Sequence, residues 1–140
     1  EWRGKLAKLQ LIVPSPMSAK FGVTKSGKKS QHALSNTGPR RFLVIEQDSG
    51  TLDEQAAILA HLAKKAPLAM VVHSGGKSLH GWFFSEGRSE ESLRHFMNGA
   101  VSIGADSATW SPLQFVRMPD GIRDTGARQA VLYFNAAVLK

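Results

Sequence analysis

Two acidic residues at the end of an apolar run are the first feature of this sequence that could carry out chemistry. Glu46 and Asp48 end the run 42–48. Alternate residues of a strand point to the same side, so the two carboxylates are predicted to share one face, about 7 Å apart along the chain. Carboxylate oxygens suit Mg²⁺ and Mn²⁺, which commonly share substrate phosphates. The pair is therefore a candidate metal site, and a solvated pair at a strand end is the alternative.

A turn of small and polar residues is the second candidate site. It joins the predicted strands 68–73 and 79–85. Its residues are Ser74, Gly75, Gly76, Lys77 and Ser78, followed two positions later by His80. Glycines allow a close backbone approach, and turn amides with hydroxyl and ammonium groups can hold an anion. The turn therefore predicts phosphate binding, although a hydrogen-bonded structural role is the alternative for His80.

The sequence Gly76-Lys77-Ser78 imitates the end of a P-loop, but the match fails. A P-loop requires a glycine five residues before the Gly-Lys pair, and this chain has Val71 there. A P-loop also leads into a helix, whereas the bulky residues of 79–84 favour a strand. These two differences exclude a Walker-type ATPase.

The elements around the two candidates are predicted to bring them together. The strand 42–48 precedes a helix that begins after Thr51, with Glu54 completing a capping box, and continues to about Ala66. A helix of this length can be a right-handed crossover that returns the strand 68–73 parallel to and near the first strand. The phosphate-type turn would then lie at the same edge as the acidic pair.

The remaining pattern extends the order to strand, helix, strand, strand, helix, strand, strand. The second helix is predicted at 89–101, and the last strands at 114–118 and 129–134. Residues 1–13, which include Trp2, fit a helix or the start of a strand. The segment 20–41 is predicted to be a solvated, mobile basic loop, or a loop that closes on a nucleic acid backbone.

Composition limits the class of protein. The 140 residues suit one domain, with a basic segment over 1–41 and a motif-bearing core over 42–134. The net charge of +7 favours a polyanionic partner. The absence of cysteine excludes zinc ribbons and disulfides. We predict no membrane span and no secretory signal, and we expect the sequence to be part of a longer chain.

The order of these motifs resembles the archaeo-eukaryotic primase superfamily, in particular its primase-polymerase branch from plasmids, phages and other mobile elements. The motifs are Glu46-x-Asp48, then Ser74-Gly75-Gly76-Lys77-Ser78-x-His80, then Asp106, and finally Arg117 before Met118-Pro119. The resemblance implies an α/β (α+β) fold in which helices flank an RRM-like mixed sheet. It also implies a cytoplasmic enzyme of DNA replication.

The resemblance implies roles for individual residues. Glu46, Asp48 and Asp106 would hold two Mg²⁺ or Mn²⁺ ions and no zinc, with Asp120 or Asp124 as alternatives for the third acid. The nucleotide-binding residues would be Ser74, Gly75, Gly76, Lys77, Ser78, His80, Arg117 and Arg123, of which His80 is also counted as catalytic.

The implied activity is DNA primase or DNA-directed polymerase activity. The partners would be a DNA template, nucleoside triphosphates and a fused or separate helicase, with no membrane. Two alternatives remain open at this point. One is a catalytically degenerate primase fold that only binds nucleic acid, and the other is a metal-dependent nuclease that uses the same acids.

Overall fold

The protein folds as an α+β domain in which one sheet carries both candidate sites. The computed structural model describes residues 4–140, so Trp2 lies outside the described residues. In chain order the strands and α-helices are β1 (Leu11–Ile12), β2 (Gly22–Val23), β3 (Lys29–Ser30), β4 (Phe42–Glu46), α1 (Leu52–Leu62), β5 (Leu68–His73), β6 (Leu79–Phe84), α2 (Glu90–Val101), β7 (Val116–Arg117) and β8 (Val131–Phe134).

The main sheet has the strand order β4-β6-β5-β8, and every neighbouring pair is antiparallel. The predicted mixed sheet is therefore wrong. β4 and β5 do run in the same direction, as predicted for a crossover, but β6 lies between them. The reason is the short turn after β5, which folds β6 directly back onto β5 and leaves the other edge of β6 for β4.

Local capping signals define where the two α-helices begin. The hydroxyl of Thr51 accepts a hydrogen bond from the Glu54 amide at 3.2 Å, and the Glu54 carboxylate accepts one from the Thr51 amide at 2.7 Å. Ser89 caps α2 by accepting from the Ser92 amide at 3.2 Å. The predicted capping box of α1 is confirmed, but α1 ends at Leu62, earlier than predicted.

The two faces of the sheet pack against different elements. Leu43, Ile45 and Phe83 form the larger core with α1 and α2, so both helices lie on one face. Gly81 belongs to this face, and an added Cβ there would lie 2.5 Å from a methyl carbon of Leu59. The opposite face carries a smaller core, whose buried members are Val44, Val72, Trp82 and Val116.

The N-terminal segment covers part of this opposite face and is structured. Within residues 4–13, a short 3₁₀ turn is followed by β1, which pairs with β7, so the strand alternative holds for the end of this segment. The prediction of a mobile loop over 20–41 is wrong, because β2 and β3 form a hairpin there. The fully buried Asn36 ties this segment together, since its amide donates to the carbonyl oxygens of Ala19 and Gln31.

The last two predicted strands are shorter than the sequence pattern suggests. β7 covers only Val116–Arg117 of the predicted 114–118, and β8 covers Val131–Phe134 of 129–134. Among residues 4–140, no helix has the length and apolar character needed to cross a membrane.

Candidate functional site

Glu46 and His80 form the centre of the candidate site on the sheet face that lies opposite the helices. They are cross-strand partners on β4 and β6, and Nε2 of His80 lies 3.2 Å from Oε1 of Glu46. The approach does not have hydrogen-bond geometry, so neither ring nitrogen of the buried His80 has a hydrogen-bond partner among residues 4–140. This is not the environment of a histidine held only by structural hydrogen bonds.

The charge state of Glu46 follows from its neighbours. Burial raises the pKa of this carboxyl group, but contact with His80 and the positive charges of His80 and Arg117 lower it by more. The net pKa of Glu46 is below its ordinary value. Glu46 is therefore ionised at neutral pH and offers carboxylate oxygens to the open face.

This lowered pKa predicts a pH-dependent contribution to stability. A carboxyl group whose pKa is lower in the folded state stabilises the fold above its ordinary pKa, and the contribution disappears as the pH falls through the lowered pKa. Glu46→Gln should therefore lower the melting temperature at pH 6–7 and narrow the difference from wild type below about pH 4. Thermal unfolding followed by circular dichroism from pH 7 to pH 3 measures this. A constant difference across that range would contradict the assignment.

Asp106 lies beside Glu46 although 60 positions separate them in the sequence. The Asp106 amide donates to the Glu46 carbonyl oxygen at 2.8 Å, next to an antiparallel bridge between Gln47 and Ala105. Ala105 packs into the core on the helix side. Side chains alternate along a strand, so Glu46 and Asp106 are directed to the opposite, open side. The Asp106 carboxylate also accepts from the Ala108 amide at 2.9 Å.

The other acids occupy different surroundings. Asp48 follows the bridge and is exposed, with no hydrogen bond or ion pair to its side chain among the described residues. Asp120 forms an exposed ion pair with Arg128 at 3.0 Å, and Asp124 accepts a hydrogen bond from the Thr125 amide within its own exposed turn. Of the three candidates for the third acid, only Asp106 is hydrogen-bonded to the strand that carries Glu46.

The residue types on this face suit a divalent metal ion, because carboxylate oxygens are the ligands that Mg²⁺ and Mn²⁺ prefer. Glu46 and Asp106 would supply two carboxylates, and Asp48 is free to supply a third. In the described part of the chain, no three acidic or histidine side chains lie close enough together to hold an ion as they stand. Binding would therefore require side-chain rotation by Asp48 and Asp106.

The turn after β5 lies at the same end of the sheet as Glu46, as predicted, but the amides of Gly75, Gly76 and Ser78 already donate hydrogen bonds within the turn. The Ser74 hydroxyl accepts from the amides of Gly76 and Ser78 at 3.3 and 3.1 Å. The Gly75 amide donates to Nδ1 of His73 at 3.1 Å. The prediction that these three amides bind an anion is wrong for this conformation. Charged side chains, such as that of the exposed Lys77, are left to attract phosphate.

Arg123 explains why the turn contains two glycines. A Cβ at Gly76 would lie 2.8 Å from a guanidinium nitrogen of Arg123, and one at Gly75 would lie 3.0 Å from its Cδ. Gly75 also has a positive φ of 74°. The Nε atom of Arg123 is buried and has no hydrogen-bond partner among the described residues. The glycines thus make room for a cationic side chain that lies against the turn.

Gln55 is a site-supporting residue that the sequence analysis did not identify. Its Oε1 accepts from the Leu79 amide at 2.8 Å, and its Nε2 donates to the Lys77 carbonyl oxygen at 3.1 Å. The same Nε2 lies 3.3 and 3.2 Å from the carbonyl oxygens of Ser49 and Gly50. Gln55 therefore joins the loop after β4 to the turn before β6. The available signal was its position four residues before Leu59 on the buried face of α1.

Comparison with family models, with curated proteins and with solved structures finds no match for this chain. The primase-polymerase resemblance thus rests on the motifs themselves. The geometry places two of the acids, His80 and the turn at one end of one sheet, with Arg123 against the turn.

Proposed function

We propose that this chain is the catalytic domain of a metal-dependent, template-directed nucleotidyltransferase of the primase-polymerase type, acting in DNA replication. The observation that carries the proposal is the backbone hydrogen bond between Asp106 and Glu46. It places the backbone of an acid from a distant part of the chain beside Glu46, two residues before Asp48.

The fold is compatible with this proposal. β4, α1 and β5 form a crossover with β6 inserted between the two parallel strands, which is a split βαβ unit. Such a unit is part of the RRM-like core that the resemblance implies. The helices cover one face of the sheet, and on the other face Glu46 keeps 24% of its side chain exposed.

The proposed roles follow from charge and position. Glu46, Asp48 and Asp106 would hold two divalent ions, which when bound neutralise charge on the reacting phosphates. Lys77 and Arg123 would attract the triphosphate of the incoming nucleotide from the turn. Both ring nitrogens of His80 are buried, so its ring would have to become accessible before Nδ1 could donate to a phosphate oxygen, while Nε2 lies beside Glu46.

The direct test is nucleotide incorporation on a primed DNA template with Mg²⁺ or Mn²⁺, comparing wild type with Asp48→Ala. Removal of this carboxylate should reduce incorporation by about a hundredfold or more, because it takes away charge stabilisation of the transition state. Asp53→Ala is the matched control, since Asp53 is exposed in the first turn of α1. Absence of incorporation in wild type under every condition, or full activity of Asp48→Ala, would refute the proposal.

The second candidate function is a primase-like module that binds nucleic acid without catalysis. The specific observation in its favour is the turn, whose amides are hydrogen-bonded internally. This candidate predicts template binding without incorporation. A nuclease would instead cleave labelled DNA with Mn²⁺ in the absence of nucleotide, so the same set of assays separates the three activities.

A further inference from the structure

The positive charge of this protein is concentrated in its first third. Residues 2–45 contain nine Lys and Arg and no Asp or Glu, whereas residues 46–140 contain nine Lys and Arg and ten Asp and Glu. The net charge of +7 therefore arises entirely from the segment that precedes the acidic pair. A cationic segment with no acids produces a positive potential that attracts polyanions.

The β2–β3 hairpin of this segment combines cations with an exposed aromatic ring. Phe21, directly before β2, is 42% exposed, and the ammonium group of Lys29 lies 4.3 Å from its ring centroid. The Lys20 ammonium lies 5.6 Å from the same centroid. Val23 and Lys29 are cross-strand partners, so their side chains leave the hairpin on the same side. Phe21, Val23 and Lys29 thus share one face.

A second pair of aromatic rings lies near the hairpin. His32 and Phe115 are stacked with ring centroids 4.3 Å apart and planes inclined by 23°. Phe115 is 46% exposed. A 2.5 Å contact between Nε2 of His32 and the Leu113 carbonyl oxygen holds the imidazole ring in place. His32 lines a groove together with Val23 and Lys25. Val23, on the face of Phe21, and His32, stacked on Phe115, thus line the same groove.

We infer that this hairpin surface, made of Phe21, Lys25, Lys28, Lys29, His32 and Phe115, binds single-stranded nucleic acid. Exposed rings offer stacking faces to unpaired bases, and the lysines beside them neutralise the backbone phosphates. A duplex hides its base faces, so the exposed rings favour a single strand. The inference deepens the proposed function, since the bound strand would be the template, but the binding does not depend on catalysis.

The test is fluorescence anisotropy of a labelled 20-nucleotide oligo(dT) with the full chain. Replacing Lys25, Lys28 and Lys29 together with glutamine should weaken binding at least tenfold at about 0.1 M salt and reduce the salt slope by about 2. Phe21→Ala and Phe115→Ala should each weaken binding about tenfold while changing the salt slope little, because stacking is not electrostatic.

The charge control is a triple glutamine variant at Lys64, Lys65 and Lys140, which makes the same change in net charge away from the hairpin. It should bind oligo(dT) like wild type. Equal weakening by both triple variants, or unchanged binding by the two phenylalanine variants, would overturn the inference. Binding to phosphatidylserine vesicles that needs the same lysines, without measurable oligo(dT) binding, would also overturn it in favour of a lipid surface.

Oligo(dT) binding and nucleotide incorporation are expected to respond to different variants. Asp48→Ala should bind oligo(dT) with wild-type affinity, because Asp48 lies outside the hairpin surface. Loss of incorporation by Asp48→Ala with intact oligo(dT) binding tests the acids alone. A hairpin variant that binds oligo(dT) more weakly but still incorporates nucleotide on a saturating template tests the hairpin surface alone.

Discussion

Replacing Asp106 with asparagine should abolish nucleotide incorporation, whereas Asp120→Asn and Asp124→Asn should retain most of it. The reason is position, since only Asp106 is hydrogen-bonded to the strand that carries Glu46. Loss of one negative charge from the proposed metal-binding face should cost about a hundredfold to a thousandfold in rate. Primer extension with Mg²⁺ and with Mn²⁺, at matched protein concentration, gives the three rates.

Asparagine is used at all three positions so that a loss of activity is not caused by unfolding of the variant. Asparagine at 106 can still accept the hydrogen bond from the Ala108 amide, because asparagine is a good helix N-cap. Asp120 has a positive φ of 55°, a conformation that asparagine also tolerates. Circular dichroism should therefore give similar melting temperatures for all three. An inactive Asp120→Asn beside an active Asp106→Asn would reverse the assignment of the third acid.

Replacing Gln55 with leucine should lower the free energy of unfolding by about 3 kcal/mol, because it leaves the buried Leu79 amide and the Lys77 carbonyl oxygen without partners. Leucine keeps the volume of the side chain, so the loss reports hydrogen bonding more than packing. Urea unfolding followed by tryptophan fluorescence measures the change. Gln31→Leu, at an exposed position, should alter the free energy by less than about 0.5 kcal/mol.

A second variant at position 55 distinguishes the contribution of the side-chain oxygen from that of the side-chain nitrogen. Gln55→Glu retains an oxygen for the Leu79 amide but replaces the donor with an acceptor opposite three carbonyl oxygens. It should destabilise at least as much as leucine at pH 7, where a buried carboxylate is unpaired. If neither variant has a lower free energy of unfolding than Gln31→Leu, the hydrogen bonds that join the loop after β4 to the turn do not stabilise the fold.

The sequence predicted well what depends on neighbouring residues. Thr51 and Glu54 form a capping box through contacts three residues apart, so the start of α1 was readable from the pattern. β5 was predicted with its observed bounds, because an apolar run between Pro67 and a glycine turn leaves little freedom. The turn and Glu46 do lie at one end of the sheet, but the crossover that predicted this placed β5 beside β4, whereas β6 lies between them.

The sequence predicted poorly what depends on pairing between distant residues. The position of β6 between β4 and β5 follows from competition between possible strand partners, which no local pattern records. The hairpin at 20–41 depends on Asn36, whose role appears only through its bonds to Ala19 and Gln31. The internal hydrogen bonds of the turn likewise depend on the Ser74 rotamer, which residue type does not determine.

The bridge between Gln47 and Ala105 limits how this protein could vary in length. Strand side chains alternate with a period of two, so gaining or losing one residue between the end of α2 and this bridge would exchange the two faces. Ala105 would then leave the core, and the Asp106 carboxylate would turn away from Glu46. The segment 102–105 should therefore tolerate substitutions more readily than insertions or deletions. Its length determines the side of the sheet to which Asp106 is directed.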